Sequence, residues 1–380
     1  MNATKNRDYR DKNPSSCLLF DKKRYNINRR EDAAMFGKNL KYYRLKNRMT
    51  KKGLAAAVGI TPMCITHYEN GTRKPEFTTI KKLAEVLNVS ILDFMAIRNG
   101  SHRYAHCEFR KNSKLNVADQ EYICESVEEY LDRFFTVTEI LGGEVLPSYP
   151  PYHSLEMTDD IEADAQALRK HLGFAPSGPV KDLIGAMENK GILIYLCEVD
   201  NDKFSGMNGT VDDRPYIILN SKMTAERQRS TLVHELVHIF FIANKEDKEL
   251  ETHATAVSGA FLLPKEDAYR ELGYHRTSVT PDFTLIAKEY GISMQMVAKR
   301  AQLLEIITSS AYKDFYMYIV PAIGGRKNEV SRIPLEETNL FEQLVLRAIG
   351  QDEISVQKGS ELLKMPFDKV SQLVHFQEEA

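Results

Sequence analysis

The most constraining stretch of this chain is Ser230–Phe241, where His234-Glu235-Leu236-Val237-His238 lies inside an almost unbroken apolar run. On a helix, residues four apart stand one above the other, so His234 and His238 can offer two imidazoles to one ion. Leu232, Val233, Leu236, Val237, Ile239 and Phe240 leave the helix few polar sides, which predicts burial, and buried histidines need partners. The helix is expected over Thr224–Ile242, with Thr224 capping it and Glu226 facing its positive N-terminal end. Glu235 sits one step round from the histidines, where a carboxylate can take a proton from metal-bound water and pass it to a leaving amine. A catalytic zinc needs a third protein ligand besides an open position. The next helix, read over Glu249–Leu263, offers Glu251, 13 positions after His238, with Glu249 and His253 as competing ligands. From these residues alone the choice stays open.

With 380 residues, 43% of them hydrophobic, the chain can bury two or three cores. The net charge of −2 conceals a division, because the first hundred residues carry 21 Lys/Arg against 9 Asp/Glu and the remainder 30 against 44. A basic first quarter predicts that one part of the chain meets a polyanion. The five cysteines are odd in number, scattered and without a CxxC pair. That argues against a disulfide framework or a cysteine zinc knuckle, and for a reducing cytoplasm. No run of about 18 apolar residues occurs and the N-terminus is polar, so neither a membrane span nor a secretory signal is expected.

The expected fold class is α+β and mainly helical. Residues 1–31 read as a flexible basic arm, apart from the apolar Cys17-Leu18-Leu19-Phe20, and residues 32–98 as short helices broken by tight turns. Residues 99–157 read as a linker: a polar loop, an acidic amphipathic helix over Asp119–Leu141, and a stretch stiffened by Pro147, Pro150 and Pro151. Residues 158–312 form the metal-binding domain, opening on a helix that Thr158 and Asp159 can cap and that runs to about Leu172. Gly191–Glu198 and Pro215–Asn220 are strands of a small sheet. Phe283–Leu304 imitates a second helix-turn-helix. Residues 313–380 form a C-terminal helical region, with a strand-like Phe315–Val320 and a helical hairpin over Phe341–Phe376 that serves dimerisation.

The segment after Met49 carries a second specific pattern. Thr50 caps one short helix, Val58-Gly59-Ile60-Thr61 makes the turn, and Pro62–Glu69 forms the next helix with Thr61 at its cap. Asn70-Gly71 ends it. Over about residues 36–97 the chain resembles the Cro/repressor (XRE) type of helix-turn-helix. In that family the second helix lies in the major groove. The matching outward positions are Thr61, Met63, Cys64 and His67, and Lys51, Asn70, Arg73 and Lys74 stand where phosphates would be met. The resemblance implies a double-stranded DNA operator and a homodimer. Met63 and Cys64 are poor hydrogen-bond readers, and Cys64 is expected to pack or touch weakly rather than to sense redox state. The competing reading is a scaffold for dimerisation or protein docking.

Arg227 to His238, then Glu251-x-x-Ala254-Thr255, then Leu262-Leu263-Pro264, resembles the ImmA/IrrE family of zinc metallopeptidases (M78-like). The resemblance covers about Asp160–Ile307. It implies a zincin-like domain in which His234, His238 and Glu251 bind zinc and Glu235 is the catalytic acid/base. Val237 stands where the family has Gly, and Thr255 where it has Asn. The resemblances together imply a cytoplasmic DNA-binding regulator with a zinc-dependent peptidase domain. Its substrate is expected to be a repressor or antitoxin of helix-turn-helix type, cut in a stress or mobile-element response. The alternative is a non-catalytic zinc-containing regulator or antitoxin whose peptidase-like domain senses a ligand or binds a partner. A housekeeping protease ranks below both, because a fused DNA reader localises the protein.

Overall fold

The structure, a computed structural model, describes residues 22–96, 102–106, 115–243, 245–325 and 329–375, with side chains from residue 33. The stretch read as an arm lies outside these residues up to Asp21, but from Lys22 onward it is helical. The chain divides into two compact units, Met1–Arg98 and Asn99–Ala380.

The first unit holds five helices: α1 (Lys22–Lys46), α2 (Lys51–Val58), α3 (Pro62–Glu69), α4 (Phe77–Leu87) and α5 (Ile91–Phe94). Phe36, Leu40, Leu54, Ile65, Leu83 and Phe94 are wholly buried among them. Gly37 lets α1 cross the end of α3, since a Cβ there would lie 2.5 Å from the Glu69 carbonyl oxygen. Within this small core sits an ion pair. Arg44 donates from Nε to Glu69 Oε1 at 2.5 Å and from Nη2 to Oε2 at 3.1 Å. Removing one partner would leave the other as an unpaired buried charge, a loss of about 3–5 kcal/mol.

The second unit is built around a four-stranded sheet. In chain order its first elements are β1 (Tyr104–His106), α6 (Val117–Ile140), β2 (Leu155–Glu156), α7 (Ile161–His171), α8 (Leu183–Glu188) and β3 (Leu193–Cys197). β4 (Gly206–Val211), β5 (Arg214–Asn220), α9 (Ala225–Phe240), β6 (Phe241–Ile242), α10 (Asp247–Leu262) and α11 (Lys265–Leu272) follow. The chain continues through α12 (Phe283–Tyr290), α13 (Met294–Leu303), α14 (Ser309–Asp314), α15 (Leu340–Gly350), α16 (Val356–Leu363) and α17 (Phe367–Val374). The sheet order is β1-β4-β5-β3, with β3 parallel to β5 and β4 antiparallel to both its neighbours; β2 and β6 form a separate parallel pair.

Side chains alternate across the sheet. Ile194, Ile217 and Leu219 face the core shared with α7 to α14, while Leu193, Met207, Val211 and Ile218 face the core made with α6 and α15 to α17. Residues 99–157 are therefore not merely a linker. β1 is a strand of the sheet, and Ile123, Val127, Leu131 and Phe134 of α6 are buried against its far face. The apolar stripe of α6 has helical spacing, but the acidic residues on its other side dominate its composition.

Three further expectations change. Phe315–Val320 is not a strand: it continues α14 as a π-helical turn, with Val320 N–H donating to the Phe315 carbonyl at 3.0 Å. Its aromatic and β-branched content suits a strand, but only Phe315 and Val320 enter the core, a helical spacing. The region read as a hairpin contains three helices, because Lys364 turns the chain through a left-handed conformation (φ 54°). Ser355 caps α16, accepting from Lys358 N–H at 3.1 Å. At α7 the cap is Asp160, and Thr158 instead donates to buried Asp164 at 2.7 Å. Among the described residues no helix is long and apolar enough to cross a membrane.

Glu129 of α6 ties that helix to the turn between α16 and α17. Its Oε1 lies 2.9 Å from Arg133 Nε and 2.7 Å from Lys364 Nζ. Burial pushes its carboxyl pKa up, but the two cations outweigh burial and hold it down at about 2, against an ordinary 4.5. A group whose pKa is depressed on folding stabilises above its unfolded pKa and loses that contribution as pH falls through the folded value. Melting temperature should therefore fall between about pH 4.5 and 2 more steeply in wild type than in Glu129→Gln. Parallel curves across that window would refute the assignment.

Candidate metal centre and nucleic-acid interface

Helix α9 lies between the sheet and α10, and Leu232, Val233, Leu236, Val237 and Phe240 are wholly buried in the core. Thr224 occupies its N-cap position without a side-chain cap bond. Glu226 does more than face the helix end: it accepts from Ser331 Oγ at 2.9 Å and from Arg332 N–H at 2.7 Å. Buried Arg229 donates to the Gly291 carbonyl at 3.0 Å, to the Val180 carbonyl at 2.6 Å, and to Glu336. These bonds hold the extended 329–340 segment against the start of the helix.

On the face toward α10, His234 and His238 bring their Nε2 atoms to 3.1 Å from each other. Glu251 of α10 completes a triangle, with Oε2 at 3.2 Å from His234 Nε2 and Oε1 at 3.4 Å from His238 Nε2. Zinc with bonds of about 2.0–2.1 Å in tetrahedral geometry spaces its donors about 3.3 Å apart, so the three fit one zinc ion. The imidazole side chains are 14% and 16% exposed and Glu251 26%, which leaves the site reachable from solvent. Among the described residues these three form the group able to hold a metal ion. The competing residues lie elsewhere. Glu249 is 3.5 Å from Lys245 at the surface, and His253 is buried with its Nε2 2.7 Å from Asp164.

Two further residues touch this group, and neither role was read from sequence. Thr255 donates its hydroxyl to the Glu251 carbonyl at 2.8 Å, and its oxygen lies 3.4 Å from His234 Nδ1. That oxygen can accept Nδ1–H and leave the Nε2 lone pair for a metal. Asn208 of β4 donates from Nδ2 to Glu235 Oε2 at 2.7 Å, both side chains being buried. The helical spacing of the histidines announces itself in the sequence. An asparagine on a strand does not, because its neighbour is fixed by long-range packing.

In the first unit, the caps stand where the turn chemistry placed them. Thr50 accepts from Gly53 N–H, Gly59 takes φ 79° at the end of α2, and Thr61 accepts from Cys64 N–H. Met63 is 62% exposed on α3, and Thr61, His67, Asn70, Arg73 and Lys74 are exposed around it. Lys51 is less free for phosphate, since its ammonium lies 3.4 Å from buried Glu69. The adjacent Lys52 is exposed. Thr72 escaped notice: its hydroxyl lies 3.1 Å from His67 Nδ1 and fixes the ring. At Cys64 the Thr61 hydroxyl, 3.3 Å from the sulfur, lowers the thiol pKa, with a smaller contribution from Arg73.

The second helix-turn-helix shape, α12 and α13, has the same caps, with Gly291 left-handed and Ser293 accepting from Met296 N–H. The outward face of α13 is occupied. Gln295 bonds to Glu329 and Tyr316, and Lys299 lies over the Tyr312 ring.

Comparison with known proteins gives three matches. The helix-turn-helix family matches residues 40–94, and the IrrE N-terminal-like domain of peptidase family M78 matches residues 187–302. An uncharacterized HTH-type transcriptional regulator of Bacillus subtilis (strain 168), YqaE, is 32% identical over 77 residues. That alignment covers 20% of this chain and 66% of the relative. The first match implies DNA binding, the second a zincin-like metallopeptidase family whose motif helix and α10 fall within the matched range. Residues 40–94 thus belong to the helix-turn-helix family and residues 187–302 to the IrrE N-terminal-like domains of peptidase family M78.

Proposed function

We propose that this chain is a cytoplasmic, operator-binding transcriptional regulator whose second unit is a zinc-dependent peptidase. The observation that carries this reading is the His234–His238–Glu251 triangle, with Glu235 on the same helix and held by Asn208. A purely structural zinc site needs no carboxylate base beside it, and structural sites close all four positions with protein ligands. Here three donors converge and the site stays open to solvent. When bound, zinc would acidify a water and polarise a peptide carbonyl. His234, His238 and Glu251 hold the ion, Thr255 orients His234, and Glu235 takes a proton and returns it to the leaving amine. Val237 and Thr255 leave these donors in place.

The substrate proposed is a protein, of the helix-turn-helix repressor or antitoxin class, cut in a stress or mobile-element response. A DNA-bound enzyme concentrates its activity where such proteins assemble. The chain is proposed to act as a homodimer on operator half-sites about 34 Å apart. The non-catalytic regulator remains the second reading, and the Thr255 substitution for the family's Asn is the observation that favours it.

Purified protein should hold one zinc per chain, and His234→Ala or Glu251→Gln should lower that content while Glu249→Gln does not. Glu235→Gln should retain zinc and operator binding but lose cleavage of a helix-turn-helix repressor substrate by about a hundredfold or more. Equal cleavage by this variant and wild type would leave only the regulator.

For DNA, Lys74→Ala should weaken binding to all sequences and reduce the salt slope by about one, whereas His67→Ala should change sequence preference. The check is a binding titration across salt concentrations with specific and scrambled duplexes. An unchanged slope for Lys74→Ala would remove it from the interface.

A further inference from the structure

Residues 205–208 run alongside the start of α9. Arg227 donates to Ser205 Oγ at 3.0 Å. One helical turn on, Thr231 packs so closely on Gly206 that a Cβ built there would lie 2.7 Å from Thr231 Cγ2. Another turn on, Glu235 receives the Asn208 amide at 2.7 Å. From Thr231 to Glu235 the helix advances about 6 Å and from Gly206 to Asn208 the strand advances about 6.8 Å, so the two elements keep step over that interval. Gly206 draws the helix in, and the side chain two residues along the same face of the strand meets the carboxylate.

We propose that Asn208 is a positioning residue that holds Glu235 in working orientation, a proposal that rests on the peptidase reading given above. Three features support it. Asn208 and Glu235 are 8% and 5% exposed, so water competes weakly for the bond. The Asn208 amide binds the carboxylate through Oε2. The donor is a neutral amide, so it stabilises the carboxylate without a cation that would compete with the ion nearby. A lysine or arginine at this position would neutralise the base. An apolar residue would leave the carboxylate able to rotate toward the metal as a ligand.

The register explains why this pair is specified. β4 pairs with β5 through Asn208 opposite Ile217, and a slip by one residue would turn Asn208 to the opposite face and present Met207 or Gly209 to Glu235. Gly209 helps fix that register, because a Cβ there would lie 2.3 Å from the Tyr216 hydroxyl.

The test uses the full-length zinc-loaded chain with Asn208→Ala and the near-isosteric Asn208→Leu, each alone and combined with Glu235→Gln. Activity is read on a quenched-fluorescence peptide library and on a panel of helix-turn-helix repressor proteins. Zinc content and melting temperature should stay near wild type. kcat should fall about tenfold to a hundredfold with KM little changed, and neither variant should reduce kcat further in the Glu235→Gln background. Independently of turnover, the Asn208 side-chain amide proton should resonate downfield in wild type and move upfield in Glu235→Gln. Wild-type kcat in both variants, additive losses with Glu235→Gln, or an amide signal insensitive to Glu235 would each overturn the proposal. A fall in zinc content or stability that accounts for the lost activity would also overturn it, leaving Asn208 a packing residue. Wild-type protein that holds zinc and cleaves neither probe would instead sink the peptidase reading, and the Asn208 role in catalysis with it, even where the amide signal responds to Glu235.

Discussion

Helix α9 is buried on nearly every side, and its polar side chains persist there only because other elements supply partners. Glu226 takes Ser331 and the Arg332 amide; Arg229 takes two carbonyls and Glu336; Glu235 takes Asn208; the histidines meet Glu251. Each buried polar group left unpaired would cost about 1–3 kcal/mol, comparable with a large share of a domain's net stability. The sheet, α10, the α12–α13 turn and the 329–340 segment are thus fixed relative to one helix. Gly291 shows how tightly: it takes φ 62°, and a Cβ there would lie 2.7 Å from Arg229 Nε.

The helix-turn-helix unit solves a smaller version of the same problem. Its core is modest, and Arg44 and Glu69 are placed inside it as a bidentate pair that also borders Lys51. Such a pair adds little net stability but penalises any arrangement that separates its members. The turn that aims α3 is therefore held by geometry as well as by apolar contact.

What could be read from the sequence follows from the range of the interaction. The imidazole pair, the caps Thr50, Thr61, Ser293 and Ser355, and the left-handed glycines at 59 and 291 are local, so spacing reveals them. Glu251 could be named only beside rivals, because loop length alone does not choose among residues on one helix. Asn208 was invisible, since its partner is set by strand register and by the close approach at Gly206. The 329–340 segment has no periodicity to detect, yet Glu329 accepts from the Met294 amide, Glu336 from the Ile184 amide, and residues 339 and 340 donate to Glu188. α6 is legible as an acidic amphipathic helix, but not its place against the sheet, which long-range packing of its buried stripe decides.

The two faces of the sheet are closed by parts of the chain made at different times. One face is covered by α7 and α8, made before β3, and by α9 to α14, made after β5, whereas the other has α6, also made before β3, but needs Val345, Leu362 and Val370 from α15 to α17 as well. During synthesis the strands therefore emerge with α6 alone able to cover Met207, Ile218 and their neighbours, and that face is completed only when the C-terminal bundle leaves the ribosome. The helix-turn-helix unit draws its core from Phe36 to Phe94 alone. It can be competent for DNA while the second unit is still half-built, so a nascent or truncated chain would be a binder before it is anything else.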